Sequence, residues 1–290
     1  MDRLIASNTV AVGSGDTAPA TGTPGQATSG NPATNTPATV FPAYAWNAIQ
    51  EEMIAILAAA GITPDRNNNA QIVAAIKALC GPGRLLNGGP TVYTAGATWN
   101  RNPATTFLIV EIQAPGGGSA GAPATGASQY AGSPGASSGS YAKVLLTAAQ
   151  AGASQTITAG APGAAGPTGS GAGGTGGTAS FGSIITCPGG LGSSSYGPTG
   201  TTTSIQNAPS AAGLPTITAG IVLTSTPGNT GGYAIGTLTG VASAQGGAAP
   251  INGSTTSEGS GGRGTGIGAS TSAVAGAVGG GPKIIVWEFA

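Results

Sequence analysis

Residues able to do covalent or acid–base chemistry are sparse in this chain, and their spacing excludes most catalytic schemes. There is no histidine, so the usual general base and the commonest metal ligand are both missing. Serines are plentiful, but a hydrolase triad would lack its base. Glu51 and Glu52 are adjacent carboxylates; on a helix, neighbouring side chains diverge by about 100°, so the pair reads as a solvated face and not as a shared site. The string Gly171-Ala172-Gly173-Gly174-Thr175-Gly176 matches a dinucleotide-loop spacing, yet no apolar strand precedes it and no helix follows. Glycan cleavage uses paired carboxylates, and the distal part offers only Glu258 outside its strands. Cys80 and Cys187 lie far apart in unlike contexts and read as two reduced, packed thiols. The expectation is a non-enzyme with no metal and no cofactor.

The remaining polar residues suit binding or structural pairing. Glu111 and Glu288 sit in otherwise apolar runs, with Lys143 and Lys283 as the available cations, which predicts ion pairs at a sheet or subunit edge. Trp99 and Trp287 read as anchors of the core or of a subunit interface. Candidates for recognition are the tyrosines inside polar loops, Tyr130 and Tyr196, with Glu258 and Arg263 in the last long spacer. Rigid aromatic area among adaptable small polar residues is the chemistry of a paratope. The alternative use of these tyrosines is to cover spacer backbone.

Composition constrains the elements that must hold such residues. The 55 glycines and 21 prolines make up about 26% of 290 residues, at the level where low complexity is the default. Disordered chains also carry high net charge, whereas eight basic and eight acidic residues cancel here and mean hydropathy is +0.17. Net neutrality without a Lys/Arg cluster argues against nucleic acid. No window approaches 18 uncharged apolar residues, so no membrane-spanning helix is expected. Met1-Asp2-Arg3-Leu4-Ile5-Ala6 lacks an apolar core of signal-peptide length, so Sec export is not expected. Ten of the sixteen charges precede residue 102, and none lies between Lys143 and Glu258. The chain therefore has compositionally distinct parts.

Residues 1–40 hold few large side chains and are expected to form an extended arm ordered by a partner surface. In residues 41–89 the spacing predicts two helices forming an oligomerisation collar. The first carries a three-four seam at Trp46, Ile49, Met53 and Ile56, starts near Pro42 and stops at Gly61. The second runs from a cap at Asn68 or Asn69 through Ile72, Val73, Ile76 and Leu79 to Gly81-Pro82. Neither helix has another apolar partner of its size in the chain, which predicts packing against copies of themselves.

From residue 90 to 290 the pattern is short β-like runs between glycine-rich spacers, the signature of an all-β sandwich or barrel. The runs are 106–112, 141–146, 154–158, 180–186, 216–218, 221–223, 233–238 and 283–289. Phe107–Ile112 and Ile284–Phe289 are apolar on both faces; central strands are expected, one face on the core and the other against a neighbouring subunit. Residues 115–139 and 159–178 contain no Leu, Ile, Val or Phe, and loops that long are uncommon in compact domains. Glycine at 160, 163, 166 and 169 has the period of a three-residue helix. Bare backbones pairing side by side as polyglycine II-like helices are predicted, with mobile linker as the alternative.

These parts resemble the tail fibres, or receptor-binding proteins, of Mu-like or lambda-like bacteriophages and prophages. The resemblance rests on Phe41-Pro42-Ala43-Tyr44-Ala45-Trp46-Asn47-Ala48-Ile49-Gln50-Glu51-Glu52 and on Thr63 to Ile72. It extends to the distal order of parts: strand 107–112, Gly116-Gly117-Gly118, Gly139-Ser140-Tyr141-Ala142, Thr156-Ile157-Thr158-Ala159-Gly160, Ser180-Phe181-Gly182 and a closing apolar strand. Gln113-Ala114-Pro115 departs from it, standing where an aromatic usually precedes the glycine run. The resemblance implies a homotrimer in the virion, bound to tail or baseplate proteins through the N-terminal arm and to a bacterial surface receptor, glycan or pilin, through the C-terminal domain. The alternatives are a purely structural baseplate component and a matrix-like elastic protein.

Overall fold

The computed structural model describes every residue except 1, 2, 4, 24, 81, 82, 239 and 243, together with the backbone alone of 240 and 241. The protein is mainly β and divides between Arg84 and Leu85 into two compact units.

In the first unit an irregular arm with one 3-10 turn, Pro32–Thr34, leads into α1 (Ala43–Ala59) and α2 (Gln71–Leu79). Pro42 occupies the N-cap of α1, and Gly61 takes the left-handed conformation (φ +68°) that ends it. The expected asparagine cap of α2 is corrected: Ala70 is the N-cap, and Asn68 Oδ1 accepts from the Ala70 N–H, shaping the preceding turn. The expected stop at Gly81-Pro82 lies outside the described residues. The helices pack on each other, and Ile54, Leu57 and Ala75 are their buried apolar residues. Arm and α1 are joined by a bidentate pair, Arg3 to Glu51, at 2.7 Å. That hydrogen bond holds the Glu51 carboxyl below the usual range.

The second unit holds a sandwich of two antiparallel five-stranded sheets. The first has the order β1 (Thr91–Tyr93), β16 (Lys283–Phe289), β3 (Phe107–Gln113), β5 (Tyr141–Thr147) and β12 (Ile221–Thr226). The second has the order β11 (Thr216–Ile217), β8 (Ile185–Cys187), β7 (Ala179–Phe181), β6 (Ser154–Thr158) and β2 (Ala97–Asn100). One core joins them, with Leu108, Val110, Ile112, Val144, Leu146 and Ile284 facing Trp99, Ile157, Phe181 and Ile185. Trp99 and Phe181 lie 5.1 Å apart, tilted edge to face. The single strand expected over 180–186 is instead a hairpin, because Gly182 turns the chain at φ +51°. Cys187 is buried in this core, and burial pushes its thiol up to about 12. Cys80 is exposed, against the expectation that both thiols are packed.

Beyond the sandwich the strands continue as glycine-rich segments that are neither helix nor sheet. Residues 116, 119 and 122 donate their N–H groups to the carbonyls of 280, 277 and 274; residues 118 and 121 donate to 174 and 171. Residues 163 and 166 donate to the carbonyls of 116 and 119, and 190 and 193 to those of 115 and 118. Every third residue thus meets the same neighbour, the repeat of a helix with three residues per turn. Residues 115–122 have neighbouring segments on all sides, so a Cβ at Gly116, Gly117 or Gly118 would collide with Ser260, Leu191 or Ala164 backbone respectively. Residues 160–166 lie on the outside and need bare backbone only at Gly160, Gly163 and Gly166, while Ala161 and Ala164 point to solvent. Serine replaces glycine where its hydroxyl joins the pairing: Ser119 Oγ donates to the Arg263 carbonyl and accepts from Ala277 N–H. The Ser138 hydroxyl likewise accepts from Asn229 N–H.

The two strand glutamates are held differently. Glu111 meets Lys143 at 3.6 Å and accepts from Tyr141 Oη at 2.8 Å. Glu288 does not pair with a lysine. Its buried carboxylate accepts from Asn87 Nδ2, Asn102 N–H and Thr105 Oγ1 at 2.7–2.9 Å, fastening the segments before β1 and β3 to β16. Lys283 turns instead to Glu258 at 3.4 Å.

Two outcomes follow from this packing. Gly117→Ala should lower the melting temperature of the purified chain by roughly 5–10 °C, an overpacking cost of about 2–3 kcal/mol, whereas Gly268→Ala, with open space around it, should leave it unchanged. Glu288→Ala should cost about 3 kcal/mol in chemical denaturation by stranding three donors, and Glu288→Gln should cost less.

Candidate functional site

Chain direction in the glycine lattice decides which loops meet. Residues 115–122 run parallel to 160–166 and 188–193 and antiparallel to 274–280; residues 133–140 run antiparallel to 259–265 and 228–232. The segments that leave the sandwich therefore all end at one pole, and their connections gather there: residues 123–132, 167–170, 194–207, 233–238 with 240–242, and 266–273. The connection 250–258 turns at the opposite pole, where Ile251 N–H donates to Gln113 Oε1.

Two small antiparallel sheets close the distal pole. One is β15 (Gly266–Ile267), β4 (Tyr130–Gly132) and β9 (Tyr196–Thr199); the other is β10 (Thr203–Gln206), β13 (Ala234–Thr237) and β14 (Gly240–Ala242). Tyr130 and Tyr196 form their hinge, rings edge to face at 6.3 Å. Both rings lie against Gly236 of β13, where a Cβ would overlap the Tyr130 ring. Tyr130 is fully buried, with its hydroxyl 3.2 Å from Thr201 Oγ1. Tyr196 is half-buried, and its hydroxyl is enclosed without a hydrogen-bond partner. Burial, with Tyr130 beside it, pushes this phenol up to about 12.

The four residues expected to form a recognition surface do not come together. Tyr130 and Tyr196 are neighbours, but on strands and turned inward, so they hold the distal pole together and do not present a paratope-like face. Glu258 lies at the sandwich pole beside Lys283, and its own backbone N–H draws its carboxyl below the usual range. Arg263 is exposed on the flank of the lattice, four residues along 259–265. Alternation of turns between the two poles separates them, and linear spacing does not reveal which pole a spacer faces.

The surface that the distal pole does expose is the outer face of β10, β13 and β14. Ile205 is opposite Ile235, which is opposite Ala242; Thr203 and Thr237 extend the same face. Tyr233, just before β13, is 60% exposed and Ile205 62%. Tyr233 is the residue missed from the sequence, where it reads as the first residue of a strand. The missed signal is its position directly after the Gly231-Gly232 pair, outside the apolar alternation. No Asp, Glu, Lys or Arg occurs in any of these distal connections. Contact here is by aromatic, aliphatic and hydroxyl groups, which suits a neutral ligand. Among the described residues no cluster of His, Cys, Asp or Glu could hold a metal ion.

In the first unit the expected oligomerisation residues take separate positions. Trp46, Ile49, Ile76 and Leu79 are exposed by 44–51%, while Met53, Ile56 and Ile72 are half-buried. The arm and α1 also enclose a cleft of about 770 Å³ lined by Val10, Val12, Trp46 and Asn47.

In comparisons with protein-family models and with curated proteins, nothing matches the chain.

The two tyrosines should respond in opposite ways. Tyr130→Ala should destabilise the second unit by about 3–5 kcal/mol, as other large buried aromatics do. Tyr196→Phe removes an enclosed, unpartnered hydroxyl and should be neutral or stabilising by up to about 1 kcal/mol; denaturant titration of both variants checks the sign.

Proposed function

We propose that the chain is a non-enzymatic receptor-binding protein of a bacteriophage tail, a homotrimer in the virion that attaches to a bacterial surface receptor. The observation that carries this reading is the uncharged distal face around Ile205, Ile235 and Tyr233, borne on a lattice whose interior is nearly free of side chains. Such a lattice needs particular residues only where backbones touch, so its distal connections are free to vary in sequence. The resemblance of residues 41–72 and of the glycine-rich region to tail fibres supports the same reading. In it the arm, residues 1–40, docks on tail or baseplate proteins, residues 41–89 form the collar, and residues 90–290 meet the receptor, a neutral glycan or pilin. The exposed side chains of Trp46, Ile49, Ile76 and Leu79 give the collar apolar area for neighbouring copies to cover. Weak contacts repeated over three chains give avidity without a strong single site.

Purified full-length chain should bind host cells saturably and block virion adsorption. Tyr233→Ala combined with Ile205→Ala should weaken cell binding at least tenfold with an unchanged melting temperature. A chain that neither binds cells nor competes with virions would instead be a structural component of the baseplate.

A further inference from the structure

The two outer faces of the sandwich differ in kind. On the second sheet the face away from the core is hydroxylic: Thr158, Ser180, Thr186 and Thr216 stand opposite one another across four strands, with Thr98 opposite Thr156 beside them. This is the ordinary alternation of a sheet with one wet face. On the first sheet the face away from the core is apolar as well. Phe107 stacks on Phe289 at 4.8 Å, and Ile109 stands between Trp287 and Leu145, with Ile285 beside them. Strands apolar on both faces are the pattern of a sheet covered on both sides. The five strands hold 30 residues, which at roughly 3.3 Å per residue and a strand spacing of about 4.8 Å give a face of about 475 Å² in plan. That is within the roughly 300–600 Å² of the largest apolar patch on a single soluble chain, a patch that is often a contact site.

The charges on this face are already matched within one chain. Glu111 is paired with Lys143 and with the Tyr141 hydroxyl, and the Lys143 ammonium lies 5.3 Å from the centre of the Trp287 ring. A partner surface therefore need supply no charge, and a second copy of the same face brings none that is unmatched. Both free edges of the sheet are apolar too: Val92 on β1 is 50% exposed, and Ile221 on β12 is 64% exposed. Open apolar edges are ordinarily blunted by charge or proline, and β1 and β12 contain neither. A two-fold contact would bring like edges together and cover one of them, whereas a head-to-tail ring covers both.

We infer that the outer face of the first sheet is a contact surface between copies of this chain, with the β12 edge of one copy beside the β1 edge of the next in a closed ring. The count of three copies rests on the proposed function; the face and the edge pairing do not. In the ring Trp287, Phe107 and Phe289 turn toward the shared axis, and the hydroxylic face of the second sheet turns to solvent.

The test uses full-length chain carrying Cys80→Ser, with Val92→Cys and Ile221→Cys together or singly. Oxidation of the double variant should give covalent species ending at a closed ring of three on denaturing gels, and each single variant should give none. An uncross-linked double variant with an unchanged circular dichroism spectrum overturns the inference. So does cross-linking in a single variant, which would mean that like edges meet. Should the cysteine variants fail to fold, Ile109→Asp in the otherwise unaltered chain serves instead. It should raise the concentration at which the assembly dissociates at least tenfold in sedimentation, and an unchanged value overturns the inference. Flotation of a monomeric wild-type chain with phosphatidylcholine vesicles would also overturn it, by assigning the face to lipid. Cell binding is scored separately: a ring that forms but binds no cells removes the proposed function alone, and a monomer that binds cells removes the ring alone.

Discussion

The second unit depends on backbone groups meeting other backbone groups at a distance that no side chain permits. A buried peptide group must be paired, and in a sheet it is paired to two neighbours lying in one plane. Here the hydrogen bonds of residues 115–122 rotate from one neighbour to the next with a repeat of three. The segment is thereby enclosed on all sides, and only glycine fits at 116, 117 and 118. Such an interior has little apolar side-chain area to bury, so its cohesion comes from dense dispersion contact and complete pairing rather than from a hydrophobic core. Serine hydroxyls at 119 and 138 enter the same network as substitutes for peptide groups.

The sandwich supplies what the lattice lacks. Its core of Trp99, Leu108, Phe181 and Ile284 buries conventional apolar area, and its strands fix the spacing and direction in which the glycine segments start. Glu288 ties the last strand to the segments before β1 and β3. At the distal pole the reverse holds: two small sheets and a tyrosine pair on Gly236 collect the returning ends and present an uncharged surface.

Strands at 154–158 and 283–289 are legible from their apolar and β-branched runs because a glycine or proline, Gly152 or Pro282, stands within two residues of each start. The turn inside 180–186 is not, since nothing in Ser180 to Thr186 except one glycine marks it, and glycine is common everywhere in this chain. Glu288 reads as half of an ion pair because Lys283 is near in sequence. On one strand, though, residues five apart point to opposite faces, and Glu288 faces the core where Asn102 and Thr105 supply donors. Tyr130 and Tyr196 read as loop residues among small polar neighbours. Their burial comes from Gly236, more than a hundred residues from Tyr130, which leaves room for both rings.

By itself the sequence determined that the chain has few chemically reactive groups, that its distal half is uncharged between Lys143 and Glu258, and that apolar runs alternate with bare backbone. Those follow from side-chain chemistry and local periodicity, which are properties of neighbouring residues. Only the tertiary structure decided which spacers share a pole, which tyrosines are enclosed and which face of each sheet is wet. Each of these depends on the direction of segments far apart in the chain, and peptide groups, identical in every residue, carry no sequence label for the partner they will meet.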